Sequence, residues 1–373
     1  WSPTWSATSL NECREIATGL GHEGHGACWG VIRDRWVQLL FGFYPPEAYW
    51  RPILAFILLA VALAPVLFAD KVPGKLIYLT GAYPFIMPFL LWGGTIWGAL
   101  SAAAGFVLGY FVYKAVDKAA GGLAAAIAAV VAAVIWWLFL AGPVAGGLGG
   151  ILPIGVEPVE SRNFGGMMLS ITIGVVAIAC SLPIGIVLAL GRQSDLLIVK
   201  SLCVGFIEFI RGVPLITLLF VASTLLNIFM PPGTNFDIIM RVIIMATLFS
   251  SAYMAEVIRG GLAALPKGQY EGADSLGLNY WQSQRLIIMP QALKISIPGI
   301  VSTFIGLFKD TTLVSVIGLL DPLGLSNAIR ADASWNGIVW ELYGFIAVLF
   351  FVFCFSMSRY SMYLERKLRT DHR

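Results

Sequence analysis

The chain is a succession of apolar runs of about 18–25 residues, the length of helix needed to cross the hydrocarbon core of a bilayer. They fall near 51–69, 76–93, 95–113, 122–141, 166–190, 201–226, 237–258, 286–308 and 338–360. Only helices and closed barrels pair all of their backbone groups in lipid, and runs of this length suit helices. The pattern predicts an all-α polytopic integral membrane protein of about nine spans. Composition removes the soluble alternative: 58% of residues are hydrophobic and 12% charged, against roughly 25% charged in soluble chains. The net charge of +3 comes from dispersed bases rather than a patch. Membrane lipid is therefore the expected surrounding, and a nucleic-acid partner is not expected. The pair 76–93 and 95–113 is a less regular stretch, with Pro84 and Pro88 expected to kink the first and only Gly93-Gly94 between them.

Short loops rich in Lys and Arg face the cytoplasm. Lys71 and Lys75, Lys114 and Lys118, Arg192 and Lys200, and Arg259, Lys267 and Arg285 all fall on one side if the spans alternate. Arg359, Arg366, Lys367, Arg369 and Arg373 then give a cytoplasmic carboxyl terminus. Residues 1–50 become an external segment, 51–141 additional amino-terminal membrane helices, 142–161 an external linker and 162–373 a core. PPGTNFD (231–237) is also external. An external start, and a first residue Trp1 rather than Met, lead us to expect an upstream piece. Cys13 and Cys28 share the external segment, where oxidising conditions permit a disulfide. Cys180, Cys203 and Cys354 read as small apolar residues within spans. His22, Glu23, His25 and Cys28 carry donor atoms but match no zinc spacing, so no metal is expected. Gly105 and Gly109 form a small-xxx-small pair that lets helix backbones approach.

The stretch Tyr270–Pro290 interrupts the apolar pattern with Glu271, Asp274 and Arg285. Pro266-Lys267-Gly268 should end the preceding helix. A short helix is expected over 269–276, a sharp turn at Gly277, then a second short segment to Met289, with Pro290 opening the next span. Two short helices on the membrane face suit docking to a partner. A solvated loop is the plainer reading.

Glu271-Gly272-Ala273, then Gly277, then Ile287-Ile288-Met289-Pro290 match the EAA signature of ABC-importer permeases in spacing. Gly272 stands for the first Ala and Met289 for the Leu of that signature. RGGLAALPKGQYEGADSLGL (259–278), MPQALKISIPG (289–299), LFKDTTLVSVIGLLDPL (307–323), NFGGMMLSITI (163–173) and EFIRGVPLITLLF (208–220) resemble the polar amino-acid permeases of the histidine/glutamate/glutamine type. The additional amino-terminal spans resemble the general L-amino-acid permeases (AapM type). The resemblance implies a type I importer permease core in the bacterial inner membrane. Its coupling loop, 259–286, would act through Glu271, Gly272, Ala273, Asp274, Gly277 and Pro290 on a dimer of cytoplasmic ATP-binding subunits. It further implies a second homologous permease, expected to form a heterodimer, and a periplasmic amino-acid-binding protein delivering L-amino acids. The sequence contains no G-x-x-x-x-G-K-[ST] phosphate loop. ATP and magnesium are accordingly expected on the partner ATPase, with no cofactor on this chain and no enzymatic activity of its own.

Ionisable side chains at membrane depth cost about 2.5–3.5 kcal/mol each on insertion scales, which makes them functional candidates. Lys309-Asp310-Thr311 offers a cation for a substrate carboxylate and a carboxylate for its ammonium; otherwise Lys309 snorkels and Asp310 caps the next helix. Tyr253 and Glu256 share a helix face, although Arg259 is spaced to pair with Glu256. Arg211 lies about 16 Å of helix rise beyond Lys200. It is open to substrate contact, to pairing with Glu208, or to a permease–permease contact. The resemblance implies substrate contacts at Lys309, Asp310 and Thr311, at Tyr253 and Glu256, and at Thr303. The expected function is a permease subunit of an ATP-driven L-amino-acid importer. Alternatives are a permease for opines or other small zwitterions, an ion-coupled secondary transporter, and a membrane scaffold.

Overall fold

Helices carry nearly every described segment, as lipid requires of a backbone that must pair internally. The computed structural model describes residues 3–22, 26–225, 228 and 237–368. Glu23 and His25 of the donor-bearing stretch, 231–236 of the expected external loop, and Arg369 and Arg373 lie outside these residues. Among the described residues eight helices are long and apolar enough to cross a membrane, and a bent pair makes a ninth candidate. The chain divides into two units, Tyr44–Asn163 and Trp1–Phe43 with Phe164–Arg373.

The unit Tyr44–Asn163 holds α3 (Trp50–Leu67), α4 (Ile77–Trp92), α5 (Ile96–Ala120), α6 (Gly122–Ile135) and α7 (Ala141–Ile151). Gly93 and Gly94, at φ 77° and 83°, turn the chain between α4 and α5. Thr95 and Gly94 then pair antiparallel with Gly155 and Val156. The buried Arg51 completes this corner. It donates to the carbonyls of Leu90 (2.7 Å), Leu91 (3.4 Å) and Glu157 (2.8 Å), satisfying the open carbonyl end of α4. Gly105 and Gly109 do let α5 approach its neighbour: a β-carbon at Gly105 would strike the Trp137 indole, and one at Gly109 would touch the Ala129 carbonyl at 3.4 Å.

One boundary differs from the sequence expectation. Residues 142–151 are not linker; a π turn at Trp136–Leu140 joins α6 to α7, and the span reaches Ile151. Glycine is a poor helix former in water, but in lipid the alternative is an unpaired backbone. The indole N–H groups of Trp136 and Trp137 anchor the π turn by donating to the carbonyls of Ser101 (2.8 Å) and Ala102 (3.0 Å).

The other unit begins with α1 (Leu10–Gly19) and α2 (Gly30–Phe41) and resumes with α8 (Gly166–Arg192), α9 (Leu197–Gly212) and α10 (Leu215–Phe220). It continues through α11 (Ile238–Ala263), α12 (Lys267–Ser275), α13 (Tyr280–Ser283), α14 (Met289–Asp310), α15 (Pro322–Ala331) and α16 (Trp340–Leu368). The apolar run over 201–226, where Gly212 and Pro214 are expected to loosen the helix, is broken outright: α9 and the helix that follows it meet at 101°. Val213 and Pro214 are extended there, and Pro214 has no N–H to continue the ladder. In contrast, α11 and α14 cross closely. A β-carbon at Gly261 would collide with Ser296 and Ala292, and one at Gly299 would meet Val257.

Cys13 and Cys28 form a disulfide with α-carbons 5.8 Å apart, so Cys28 is spent as a metal donor. The stapled α1–α2 hairpin does not hang free. Val31, Ile32 and Leu39 share a buried cluster with Leu325, Trp335 and Leu342. Asp34 accepts from the Trp335 indole at 2.9 Å, and Arg35 bridges Asp34 (3.0 Å) and Asp332 (3.1 Å). The buried Asp321 opens α15, accepting from the amides of Leu323 and Gly324 at 3.0 Å; burial nevertheless pushes its carboxyl up to about 6. Replacing both Cys13 and Cys28 by Ser should cost the hairpin about 2–4 kcal/mol, as expected for a bridge over a short loop. Trypsin cleavage after Arg14 and Arg33 in the purified protein reads this out; an unchanged cleavage rate would contradict it.

Candidate functional site

Five charged side chains gather where α8, α9 and α11 meet. Arg192, the last residue of α8, places Nη1 3.0 Å from Glu208 and 2.7 Å from Glu256. Arg259 reaches the other Glu256 oxygen at 3.0 Å, and Arg211 lies 3.8 Å from that same oxygen. The Arg211 guanidinium also sits over the Tyr253 ring, 5.6 Å from its centroid. Three guanidiniums therefore face two carboxylates, an excess of one positive charge. The Glu256 side chain is 16% exposed and Glu208 55%. Charged groups on or at the ends of spanning helices avoid lipid, so this face of the helices is turned to water or to another polypeptide.

The cluster joins Arg211, Tyr253 and Glu256 of the expected substrate contacts and adds Arg192. From the sequence, Arg192 is only a base at the edge of an apolar run. The expected Glu208–Arg211 pair is not what forms: Glu208 pairs with Arg192 across helices. The expected Glu256–Arg259 pair is present.

Lys309, Asp310 and Thr311 stand at another level. Ser296 donates to the Val257 carbonyl at 3.3 Å, which sets the first half of α14 beside Glu256. Asp310 and Thr311 instead line a small apolar cavity with Val242, Ala246 and Leu219. Ten residues of α11 separate Ala246 from Glu256, about 15 Å of helix rise. Thr303 lies between the two levels, with its hydroxyl donating back to Gly299 at 2.9 Å. The buried Thr311 hydroxyl donates to Phe308 at 2.7 Å. Both hydroxyls keep free acceptor capacity. Asp310 makes no side-chain cap to the turn that follows it, leaving its carboxylate at the cavity wall. The exposed Lys309 lies beside it.

The polar loop forms the third feature. Pro266 leads into α12, Gly277 turns at φ 69°, and Asn279 caps α13 in a reciprocal pair with Gln282. The second segment is not separate from the next span: α13 runs through a π turn into α14, and Pro290 sits at the first turn of α14. Ala273 is buried at 1%, which seats α12 on the rest of the loop. Glu271, Gly272, Asp274 and Gly277 are exposed. So are Leu276, Tyr280 and Trp281, whose exposed apolar surface in a charged loop signals a binding face that charge patterning overlooks.

The family model described as "Binding-protein-dependent transport system inner membrane component" matches residues 181–370. The chain belongs to this family. A permease of this family is a transport subunit that works with an ATP-binding subunit and a substrate-binding protein. The chain is 62% identical over 371 residues to the glutamate/glutamine/aspartate/asparagine transport system permease protein BztC of Rhodobacter capsulatus, covering 99% of this chain and 85% of that one. It is 42% identical over 345 residues to the inner membrane amino-acid ABC transporter permease protein YhdY of Escherichia coli, covering 92% and 79%. The probable glutamine ABC transporter permease protein GlnP of Bacillus subtilis is 31% identical over 202 residues, 54% of this chain but 90% of that protein. A shorter family member is thus matched almost end to end by about half of this permease.

Glu256→Gln keeps the shape of the side chain but leaves three arginines around one remaining carboxylate. Breaking a fully buried ion pair costs about 3–5 kcal/mol; partial exposure brings the expectation here to about 2–3 kcal/mol. The thermal unfolding temperature of the purified protein should fall accordingly, and an unchanged value would show that the pairing adds no net stability.

Proposed function

We propose that this chain is the permease subunit of an ATP-driven importer for acidic amino acids and their amides. It would sit in the bacterial inner membrane with its carboxyl terminus in the cytoplasm. A periplasmic amino-acid-binding protein delivers the substrate, and a second homologous permease completes the pathway as a heterodimer. A dimer of ATP-binding subunits, carrying ATP and magnesium, docks on the loop at 259–286. The substrate class rests on the 62% identity to BztC over nearly the whole chain.

The observation that carries the coupling role is the continuity of the loop with the helices on either side. α11 descends from the Glu256 level into α12, and Tyr280–Ile317 runs as one helical stretch from the loop to Asp310. A partner pressing on Glu271, Asp274, Leu276 and Trp281 moves α14 directly, because the helical stretch is unbroken from Tyr280, and moves α11 through the short connection 264–266. α11 and α14 pack closely where Gly261 faces Ser296 and Ala292 and where Gly299 faces Val257, so movement of one is passed to the other. The excess positive charge at Arg211 favours a substrate carboxylate, and Glu256 is already held by arginines rather than open to a cationic side chain.

Three measurements on the whole complex in proteoliposomes test this reading. ATP-dependent uptake of labelled glutamate should be competed by aspartate, glutamine and asparagine and not by arginine; competition by arginine alone would remove the substrate assignment. Glu271→Lys should lower uptake about tenfold or more while the chain still inserts, whereas wild-type uptake would remove the coupling role. Asp310→Ala should abolish uptake without loss of the ATP-binding subunit, and unaltered kinetics would take Asp310 off the pathway.

A further inference from the structure

Arg192 has a position that substrate binding alone does not explain. A single nitrogen, Nη1, holds Glu208 of α9 and Glu256 of α11, so one guanidinium ties three helices. The tie lies where α8 ends at Arg192, in the last turns of α9 before Gly212, and two turns before α11 ends at Ala263. With the orientation given above, that is the cytoplasmic end. Arg259 holds the second Glu256 oxygen and lies on the last stretch of α11 before the docking loop.

Two further observations bear on what the tie does. First, its members are partly exposed, from 16% for Glu256 to 55% for Glu208, so the charges can be rehydrated when they separate. Second, α9 is an arm with a joint. It meets the next helix at 101° through extended Val213 and Pro214, and no helical hydrogen-bond ladder carries rigidity across that joint. The start of α9 is joined to α8 through residues 193–196, and what holds its last turns, just before the joint, against α8 is the Arg192–Glu208 pair together with apolar contacts such as Ile207.

We propose that Arg192 is the latch of the permease's cytoplasmic end. Paired with Glu208 and Glu256 it holds α8, α9 and α11 together and that end closed. Movement of the docking loop, passed up α11 to Arg259 and Glu256, withdraws Glu256 from Arg192, loosens Glu208 with it, and lets the joint at Val213 and Pro214 open. Arg192 is a positioning residue, acting on the pathway through the two glutamates. The latch rests on the importer reading, and wild-type uptake measured in the same vesicles separates a failure of that reading from a failure of the latch.

The test reads two quantities in proteoliposomes containing the whole complex: glutamate uptake, and ATP hydrolysis in the absence of amino acid. Arg192→Glu places like charges at the tie. It should raise idle hydrolysis about fivefold or more and lower uptake about tenfold. Arg192→Lys should stay within about twofold of wild type, because both contacts are made by one nitrogen and a point charge can replace it. Loss of uptake with unchanged idle hydrolysis would mark Arg192 as a mere brace and overturn the latch, as would wild-type behaviour of Arg192→Glu. If Arg192→Glu does not assemble, Arg192→Cys with Glu256→Cys decides, in a chain also carrying Cys180→Ser, Cys203→Ser and Cys354→Ser. Oxidation should then stop uptake and reduction restore it, with the same treatments leaving wild type active. Transport by the cross-linked protein, or failure of this variant too to assemble, would overturn the proposal.

Discussion

An unpaired polar group in hydrocarbon has no water to turn to, and the architecture follows from that penalty. It keeps the glycine-rich stretch after Ala141 helical when its composition argues for a loop. It draws three carbonyls onto Arg51 at the corner after α4. It also collects Arg192, Glu208, Arg211, Glu256 and Arg259 into one cluster rather than leaving each to find water separately. Where the chain does break its backbone ladder, at Val213 and Pro214, it does so beside that cluster, on a face that cannot be lipid.

Much of this was legible in the amino-acid order. Runs of apolar residues locate the spans, because the thickness of a bilayer bounds helix length, although the helices at Ala124–Ile151 and Tyr280–Ile317 outrun their apolar runs. The Cys13–Cys28 bridge follows from two cysteines sharing one segment that charge patterning reads as external. The turn at Gly277 follows from local stereochemistry. Other features were hidden for identifiable reasons. Gly146, Gly147, Gly149 and Gly150 read as linker because helix propensity is measured in water. The 101° break was visible only as a weakening at Gly212 and Pro214, since the direction of a break depends on what packs around it.

The site was legible in part, and the division is physical. Tyr253, Glu256 and Arg259 lie within two turns of one helix, so spacing alone puts them together. The partnership of Arg192 with Glu208 and Glu256 joins residues 16 and 64 positions apart, and no periodicity reports it. Likewise, spacing does not reveal that Asp310 faces Val242 and Ala246 rather than Glu256. The candidate contacts thus stand at two levels along the helices.

The pairing of Gly42 with Phe164 has a consequence for the architecture of the gene product. Residues 44–163 leave from Phe43 and the chain resumes at Phe164, and the backbone bridge places exit and return side by side. A segment entered and left at one point can be lengthened, shortened or exchanged without re-threading the rest of the chain. The four-span unit is in that sense an insertion, and the stapled hairpin before it belongs to one unit with Phe164–Arg373.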